Sequence, residues 1–413
     1  MQSQQLIVIG GGAAGFFCAV NAARLNPNLK VIILEKSNKL LSKVRISGGG
    51  RCNVTHAIFD IPELSKRYPR GQNFVKKTFH QFFTTDTIDW FKERGVKLKA
   101  EADGRMFPIT DSSETIIHCL LQEANRFGID IRMQTEVKEI RIQDEKSGKK
   151  SFELLLANAQ QLSADFICIA TGGFPKASMF NWLISLGHTI QEPKPSLFTF
   201  NLPKHPITTL MGVSVEQARV KIEGTKLQEE GPVLITHWGL SGPAVLRLSA
   251  WGARILAGKN YQFNAHINWL PEENDQTLKS RIQGFRISLA SKKVINHNFG
   301  QLPNRLWQFL LQQSAISNET RFADLSAKNE NALIKNLVDF TVEVHGKTTF
   351  KEEFVTAGGI TLNEVDPNTM MSRKVPNLFF AGEVLDVDGI TGGFNFQHAW
   401  TSGWIAAKTI SIL

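Results

Sequence analysis

Residues 6–15, Leu6-Ile7-Val8-Ile9-Gly10-Gly11-Gly12-Ala13-Ala14-Gly15, constrain the fold of this chain more than any other stretch. An apolar run of strand character meets glycines spaced G-x-G-x-x-G, and these open onto an apolar stretch of helical character at 16–25. A second apolar run, Val31-Ile32-Ile33-Leu34, closes on Glu35, about twenty residues past the last glycine. Gly10 permits a tight turn, Gly12 lets the backbone approach a pyrophosphate, and Gly15 lets helix pack on strand. The helix N-terminus offers unpaired N–H groups and a positive dipole end to phosphates. Glu35 can accept hydrogen bonds from a ribose diol. The expected site here comprises Gly10, Gly12, Ala13, Ala14, Gly15, Glu35 and Lys36, and its ligand is a dinucleotide.

The far end of the chain narrows the choice of dinucleotide. Asn377-Leu378-Phe379-Phe380-Ala381 reads as a strand that ends on Gly382-Glu383. Asp388, then Gly392-Gly393-Phe394-Asn395 and a closing helix near 397–410 follow. A soluble NAD dehydrogenase needs no second glycine-rich turn so far from the first, whereas a large FAD enzyme does. Glu383 can hold the ribityl and pyrophosphate part of FAD. The turn at Gly392 and Gly393 can aim N–H groups at the flavin's pyrimidine edge, where donors and a helix dipole stabilise developing negative charge. A third strand, Ile167-Cys168-Ile169, ends in Ala170-Thr171-Gly172-Gly173, small residues suited to a passing cofactor. FAD is therefore the expected cofactor, and Lys43, Arg51, Cys52 and Val137 are added to its contacts. There is no second strand–GxGxxG–helix unit and no C-x-x-C pair. A dedicated NAD(P)H domain is thus not expected.

Further motifs lie between these ends: Lys43-Val44-Arg45-Ile46-Ser47-Gly48-Gly49-Gly50-Arg51-Cys52-Asn53-Val54-Thr55, Gly231-Pro232-Val233-Leu234-Ile235-Thr236-His237-Trp238-Gly239-Leu240-Ser241-Gly242-Pro243 and Thr356-Ala357-Gly358-Gly359-Ile360. With the two glycine turns they make the chain resemble the BaiN-like (YhiN-like) flavoprotein family, bacterial FAD-dependent oxidoreductases of the glutathione-reductase superfamily. One departure is His56, where the family pattern favours Asn. The resemblance implies a discontinuous FAD domain interrupted by an insert. It also implies NADH or NADPH docking transiently over the flavin as electron donor, and a choice of substrates, since members include a ribosomal-RNA dihydrouridine synthase and proteins linked to reduction of steroid enones.

The walk along the chain gives the same α/β architecture. Strand and helix patterns alternate over 1–193, with helices expected at 73–94 and after Asp111-Ser112-Ser113-Glu114, and strands near 130–143, 151–158 and 165–170. An insert is expected at 194–353, β-rich over about 194–268 and helical over about 271–344, before a second Rossmann-like segment at 354–413. A chain of 413 residues suits two or three domains at roughly 150 residues each. Residues 1–5 carry no charged n-region and no run of about 18 apolar residues occurs, so no signal peptide or membrane span is expected and the location should be cytoplasmic. The cysteines show no metal spacing, and Cys18, Cys119 and Cys168 read as small core residues.

Charge adds a partner. The formal charge is +9, and the excess is clustered. No Asp or Glu occurs in 276–318, which holds Lys279, Arg281, Arg286, Lys292, Lys293 and Arg305. A second run holds Lys66, Arg67, Tyr68, Arg70, Phe74, Lys76 and Lys77. Cations interleaved with aromatics suit single-stranded nucleic acid, and ribosomal RNA is the expected partner; a solvated basic face is the plainer alternative. Arg45, Lys279, Arg281, Lys292 and Lys293 are taken as substrate contacts.

The activities that the resemblance implies share hydride addition across a C=C bond conjugated to a carbonyl, with an acid protonating the α carbon. Cys52, among glycines and arginines that would lower its pKa and keep it accessible, is one candidate acid; packing beneath the flavin is its other role. His237 is the second candidate, with a structural hydrogen-bonded histidine as the alternative. The leading expectation is reduction of uridine to dihydrouridine in 23S ribosomal RNA. A reductase or oxidase of a small molecule such as a steroid enone or an amine is the runner-up, and a non-catalytic flavin-containing RNA-binding protein the third reading.

Overall fold

The computed structural model describes residues 4–144, 150–348 and 355–413. The chain divides into two compact units, Met1–Pro195 with Phe350–Leu413, and Ser196–Thr349. The domain change expected at 353–354 lies outside the described residues.

The first unit is organised by a parallel sheet. Strand β1 (Gln5–Ile9) is followed by helix α1 (Ala13–Leu25) and strand β2 (Lys30–Leu34). The sheet order is Leu378–Phe380, Phe166–Ile169, β1, β2, Asp130–Arg132. β1 is flanked on both sides, with Leu6 opposite Phe166 and Val31. A strand buried on both faces needs continuous apolar sequence, which is why 6–9 reads without alternation. The closing helix, Phe394–Ile412, packs on α1 through Gly403, where a Cβ would stand 2.7 Å from the Ala14 carbonyl oxygen. Around that contact Phe17 meets Phe82, Trp90 and Trp400 at ring separations of 5.5, 4.6 and 5.2 Å.

Two local expectations change, and a third segment gains structure that no expectation covered. The helix expected at 73–94 is two, Gln72–Thr78 and Thr84–Lys92. Phe83 is extended between them, and the Asp86 carboxylate accepts its N–H at 2.6 Å, a cap that restarts the helix. The strand expected at 130–143 is also two, because Asp130–Arg132 joins the parallel sheet while Val137–Asp144 pairs antiparallel with Lys150–Leu156. The segment Ser42–Gly50 is helical with a kink at Ser47, Gly48 and Gly49, which glycine content had hidden.

The second unit is a seven-stranded antiparallel sheet in the order Phe340–His345, Gln262–Asn268, Ser214–Ile222, Gln228–Thr236, Gly239–Ser241, Thr199–Asn201, Lys347–Thr348. Its β-rich and helical stretches interpenetrate. Helix Pro243–Trp251 lies within the first stretch, and strand Phe340–His345 within the second. The strand buries Phe340, Val342 and Val344 in strict alternation, a period-two signal at the end of a helical run.

Candidate dinucleotide and substrate site

The first glycine turn is set by close approach of backbone to backbone. Gly10 has φ +117°, its N–H donates to the Leu34 carbonyl at 2.8 Å, and a Cβ there would stand 2.3 Å from the Ala170 oxygen. A Cβ at Gly15 would stand 2.0 Å from the Gly10 oxygen. Gly12 differs, since it caps α1 in an extended conformation any residue can adopt and a Cβ there would meet nothing within 4 Å. The turn leaves Gly12 bare, with clearance in front of the N–H groups of Ala13, Ala14 and Gly15, which no intrahelical acceptor reaches. That cradle fits a pyrophosphate. Glu35 stands at its edge, accepting from Gly11 N at 2.9 Å and Ser37 N at 2.8 Å and retaining acceptor capacity for a diol. Ala170 N donates to Ile9 O at 2.8 Å, which brings Thr171 and Gly172 to the same end of the sheet. Val137 starts its strand two residues after Thr135, whose N–H bonds the Glu35 carbonyl at 2.9 Å. The Lys36 ammonium lies 5.4 Å from the centre of the Phe174 ring.

The second turn is held by side chains. Gly382 (φ +75°) donates to Ser402 Oγ at 2.8 Å. Glu383 accepts from Thr356 N at 2.8 Å and Lys43 Nζ at 2.7 Å. Asp388 is fully buried in a two-pronged ion pair with Arg70, so its carboxylate serves the turn's interior. The Asn395 amide brackets Gly389, accepting from its N–H at 2.8 Å and donating to its carbonyl at 3.0 Å. The Tyr68 hydroxyl donates to Phe394 O at 2.6 Å. The Asn53 amide, with its nitrogen turned to Thr55 O and its oxygen to Gly393 N, makes both bonds at 3.0 Å. Gly393 thus spends its N–H on Asn53. The first-turn N–H groups of the closing helix, rather than Gly393, are the donors left without an intrahelical acceptor. Asp388 and Asn395, expected as direct cofactor contacts, turn inward and shape the loop.

Cys52 departs most from expectation. It is fully buried, and burial pushes its thiol up to about 12, with a smaller opposing pull from a Ser47 hydrogen bond. An accessible, low-pKa thiol is therefore ruled out. The neighbouring cation looks elsewhere, because the Arg51 guanidinium stacks 4.0 Å from the Phe107 ring centre and pairs with Glu101 at 2.6 Å. Arg45 pairs with Glu114. His237 is exposed in the turn between Gln228–Thr236 and Gly239–Ser241 of the second unit, its ring edge-on to Trp238.

The basic runs also change meaning. Stretches free of acids in sequence meet acids in space: Arg281 pairs with Glu273 at 2.9 Å, Lys293 with Glu319 at 2.7 Å and Arg286 with Glu330 at 2.8 Å. Arg305 donates to the Thr209 carbonyl at 2.9 Å. Lys279 and Lys292 stay exposed, with no ion-pair partner among the described residues. Tyr68 and Phe74, expected as stacking platforms, are core residues at 1% and 7% exposure.

Sequence reasoning missed several polar groups. Gln397 accepts from Thr55 Oγ1 at 2.6 Å and Thr87 Oγ1 at 3.0 Å, tying the closing helix to two segments. The buried Thr356 hydroxyl has no hydrogen-bond partner among the described residues, and a Gly173 Cβ would stand 2.5 Å from it. His398 is buried with neither ring nitrogen in good hydrogen-bond geometry, and burial lowers it to about 4 against a weaker pull from the Gly382 backbone. The available signal was a polar run, Gln397, His398, Thr401 and Ser402, on an otherwise apolar helix. Among the described residues no group of His, Cys, Asp and Glu is placed to hold a metal, and no helix is long and apolar enough to cross a membrane.

The fold and the cradle define a Rossmann-type dinucleotide protein. Residues 4–409 match the family model described as the HI0933-like protein Rossmann domain. The chain belongs to this family, and its class is that of the FAD-dependent oxidoreductases. It is 32% identical over 99% of its length to the ribosomal RNA dihydrouridine synthase of Escherichia coli, covering 98% of that protein. It is 27% identical to the 3-dehydro-bile acid delta(4,6)-reductase of Clostridium scindens, over 97% of each chain. In fold it is similar to a flavocytochrome c3 fumarate reductase, with a TM-score of 0.52 at 16% identity over 99% of this chain and 78% of that one.

Proposed function

We propose that this protein reduces a C=C bond conjugated to a carbonyl, and that its substrate is uridine in 23S ribosomal RNA. The observation that carries the reading is the cradle in the first unit, with first-turn helix N–H groups that have no intrahelical acceptor at each glycine turn, Glu35 at the edge of the first and Glu383 after the strand that leads to the second. Bound FAD supplies the hydride-transfer chemistry. The chain's own residues bind and orient: the α1 N-terminus takes the pyrophosphate, Glu35 the ribose diol, and Glu383, steadied by Lys43 and Thr356 N, the polyol chain. Unpaired N–H groups of the closing helix stabilise negative charge at the site's far end. NADH or NADPH is the proposed electron source.

The uridine assignment is supported by identity to an rRNA dihydrouridine synthase along the whole chain. Dihydrouridine in 23S ribosomal RNA, measured by mass spectrometry in cells with and without the gene, tests it. Loss that the intact gene restores and a Gly12→Val gene does not is the expected result; unchanged RNA removes this substrate. A second reading, reduction of a small enone, is favoured by the bile acid reductase match and by the internal pairing of Arg281, Arg286 and Lys293. Turnover of a 3-oxo-Δ4 steroid by the purified holoprotein, with RNA unaffected, would establish it. Bleaching of the flavin by NADH or by NADPH identifies the donor.

A further inference from the structure

We infer that Phe59 and Arg67, with Lys76 and Lys77, form the surface that grips a single-stranded RNA segment beside the second glycine turn. This inference rests on the RNA reading above and assigns that substrate a place in the first unit. Residues 67–71 form a wall of the turn. Ile390 N donates to the Arg67 carbonyl at 3.0 Å, and a Cβ at Gly71 would stand 2.6 Å from the Val387 side chain. The Arg67 side chain is exposed and has no ion-pair partner among the described residues. Its charge reaches His56, whose pKa is lowered first by burial and then by Arg67. The His56 ring stacks on Phe394 at 4.8 Å and stands 3.4 Å from where a Gly392 Cβ would be, so Arg67 borders the turn itself.

Phe59 follows three residues later in the chain. Ala57 N donates to Gly104 O at 2.7 Å and Ile58 N to His56 O at 2.8 Å, a tight exit that keeps Phe59 near His56. Phe59 is 60% exposed, an uncommon state for a large aromatic. The acids next to it are engaged, since Asp60 accepts from Glu63 N at 2.8 Å and Glu63 pairs with Lys66 at 2.5 Å. From 64 to 85 no Asp or Glu occurs, and Lys76 and Lys77 are exposed at the end of Gln72–Thr78. An exposed aromatic near His56, with Arg67 on the wall of the same turn and exposed Lys76 and Lys77 on the helix that follows that wall, matches the needs of a base taken out of its stack, with a face to replace its lost neighbour and charges for the phosphates. A small enone uses neither.

The test is binding of a fluorescein-labelled single-stranded oligouridylate to the holoprotein across a salt series, by anisotropy. Phe59→Ala should weaken binding about tenfold or more, while Phe59→Trp retains it. Arg67→Gln and the K76Q/K77Q pair should weaken binding and flatten its salt dependence by roughly 0.7 for each phosphate no longer neutralised. All variants should keep their FAD content. Variants that bind as wild type does, while the gene still yields dihydrouridine in cells, overturn this surface and leave the reductase reading intact. So does a wild-type protein that modifies RNA without affinity for the single strand. No binding by wild type, together with ribosomal RNA unchanged by loss of the gene, overturns both.

Discussion

At residues 10–15 the turn is set by close approach of backbone to backbone, with Gly10 against Ala170 and Gly15 against Gly10; Glu35 holds Gly11 N, and no side chain hydrogen-bonds the cap of α1 among the described residues. At 388–395 the turn is pinned by side chains from distant segments, namely Arg70 on Asp388, Tyr68 on Phe394, Asn53 on Gly393 and Asn395 across the loop. Both end on a helix N-terminus. The difference is in what each can lose. A turn made by close packing fails when an atom is added, whereas a turn held by side chains fails when one is removed.

The largest effects should come from adding atoms to the first turn. Gly15→Val should abolish soluble expression, because a Cβ there would sit 2.0 Å from a backbone oxygen. Gly12→Val should fold with little change in Tm and lose FAD, read as the flavin-to-protein absorbance ratio. A Gly12 variant that keeps its flavin would break the comparison at its strongest point.

Removing a pin from the second turn comes next. Asp388→Leu strands the buried Arg70 charge and should cost about 3–5 kcal/mol in a denaturant melt. The Arg70→Met/Asp388→Leu double variant should recover most of that loss, since both charges leave together. Asn395→Ala should cost about 1–3 kcal/mol by orphaning the Gly389 backbone groups.

A pH titration of stability isolates a third region. His188 Nδ1 contacts Glu364 at 3.0 Å, Nε2 contacts Ser372 Oγ at 3.1 Å, and Lys374 Nζ reaches Glu364 at 2.6 Å. Burial would raise Glu364, but Lys374, Thr189 and His188 together hold it at about 2. Burial lowers His188 despite Glu364. In both cases the folded state binds fewer protons than the unfolded one, so stability rises with pH. The His188 contribution is complete above its unfolded value of about 6.5 and is lost as pH falls through its lowered folded value. The Glu364 contribution is complete above about 4.3 and is lost as pH falls toward 2. His188→Gln should remove the upper part of that acid sensitivity.

Cys52→Ala should show the smallest effect, about 1 kcal/mol in stability with turnover per bound flavin unchanged. A large loss of turnover at full flavin occupancy would return the thiol to the chemistry.

The first turn was legible because its requirements are local. Strand, glycines, helix and Glu35 lie within one βαβ unit, and the structure places them in contact in sequence order. The apolar runs likewise predicted the parallel strands, since a doubly covered strand has no polar face. Legibility ended where a residue's role depends on a partner far along the chain. Asp388 looked like a cofactor ligand until Arg70 met it, and Cys52 looked activated until burial closed over it and Arg51 turned to Phe107 and Glu101. The insert's cations looked like a patch until Glu273, Glu319 and Glu330 arrived from outside the acid-free run.

By itself, then, the sequence determined the fold class and the phosphate-facing end of the site, because glycine spacing and hydrophobic period act over a few residues. Only the tertiary structure decided which charges are spent, which aromatics are core and which side chains hold the second turn. Burial and ion pairing depend on the distance between segments in space, and distance along the chain does not encode it.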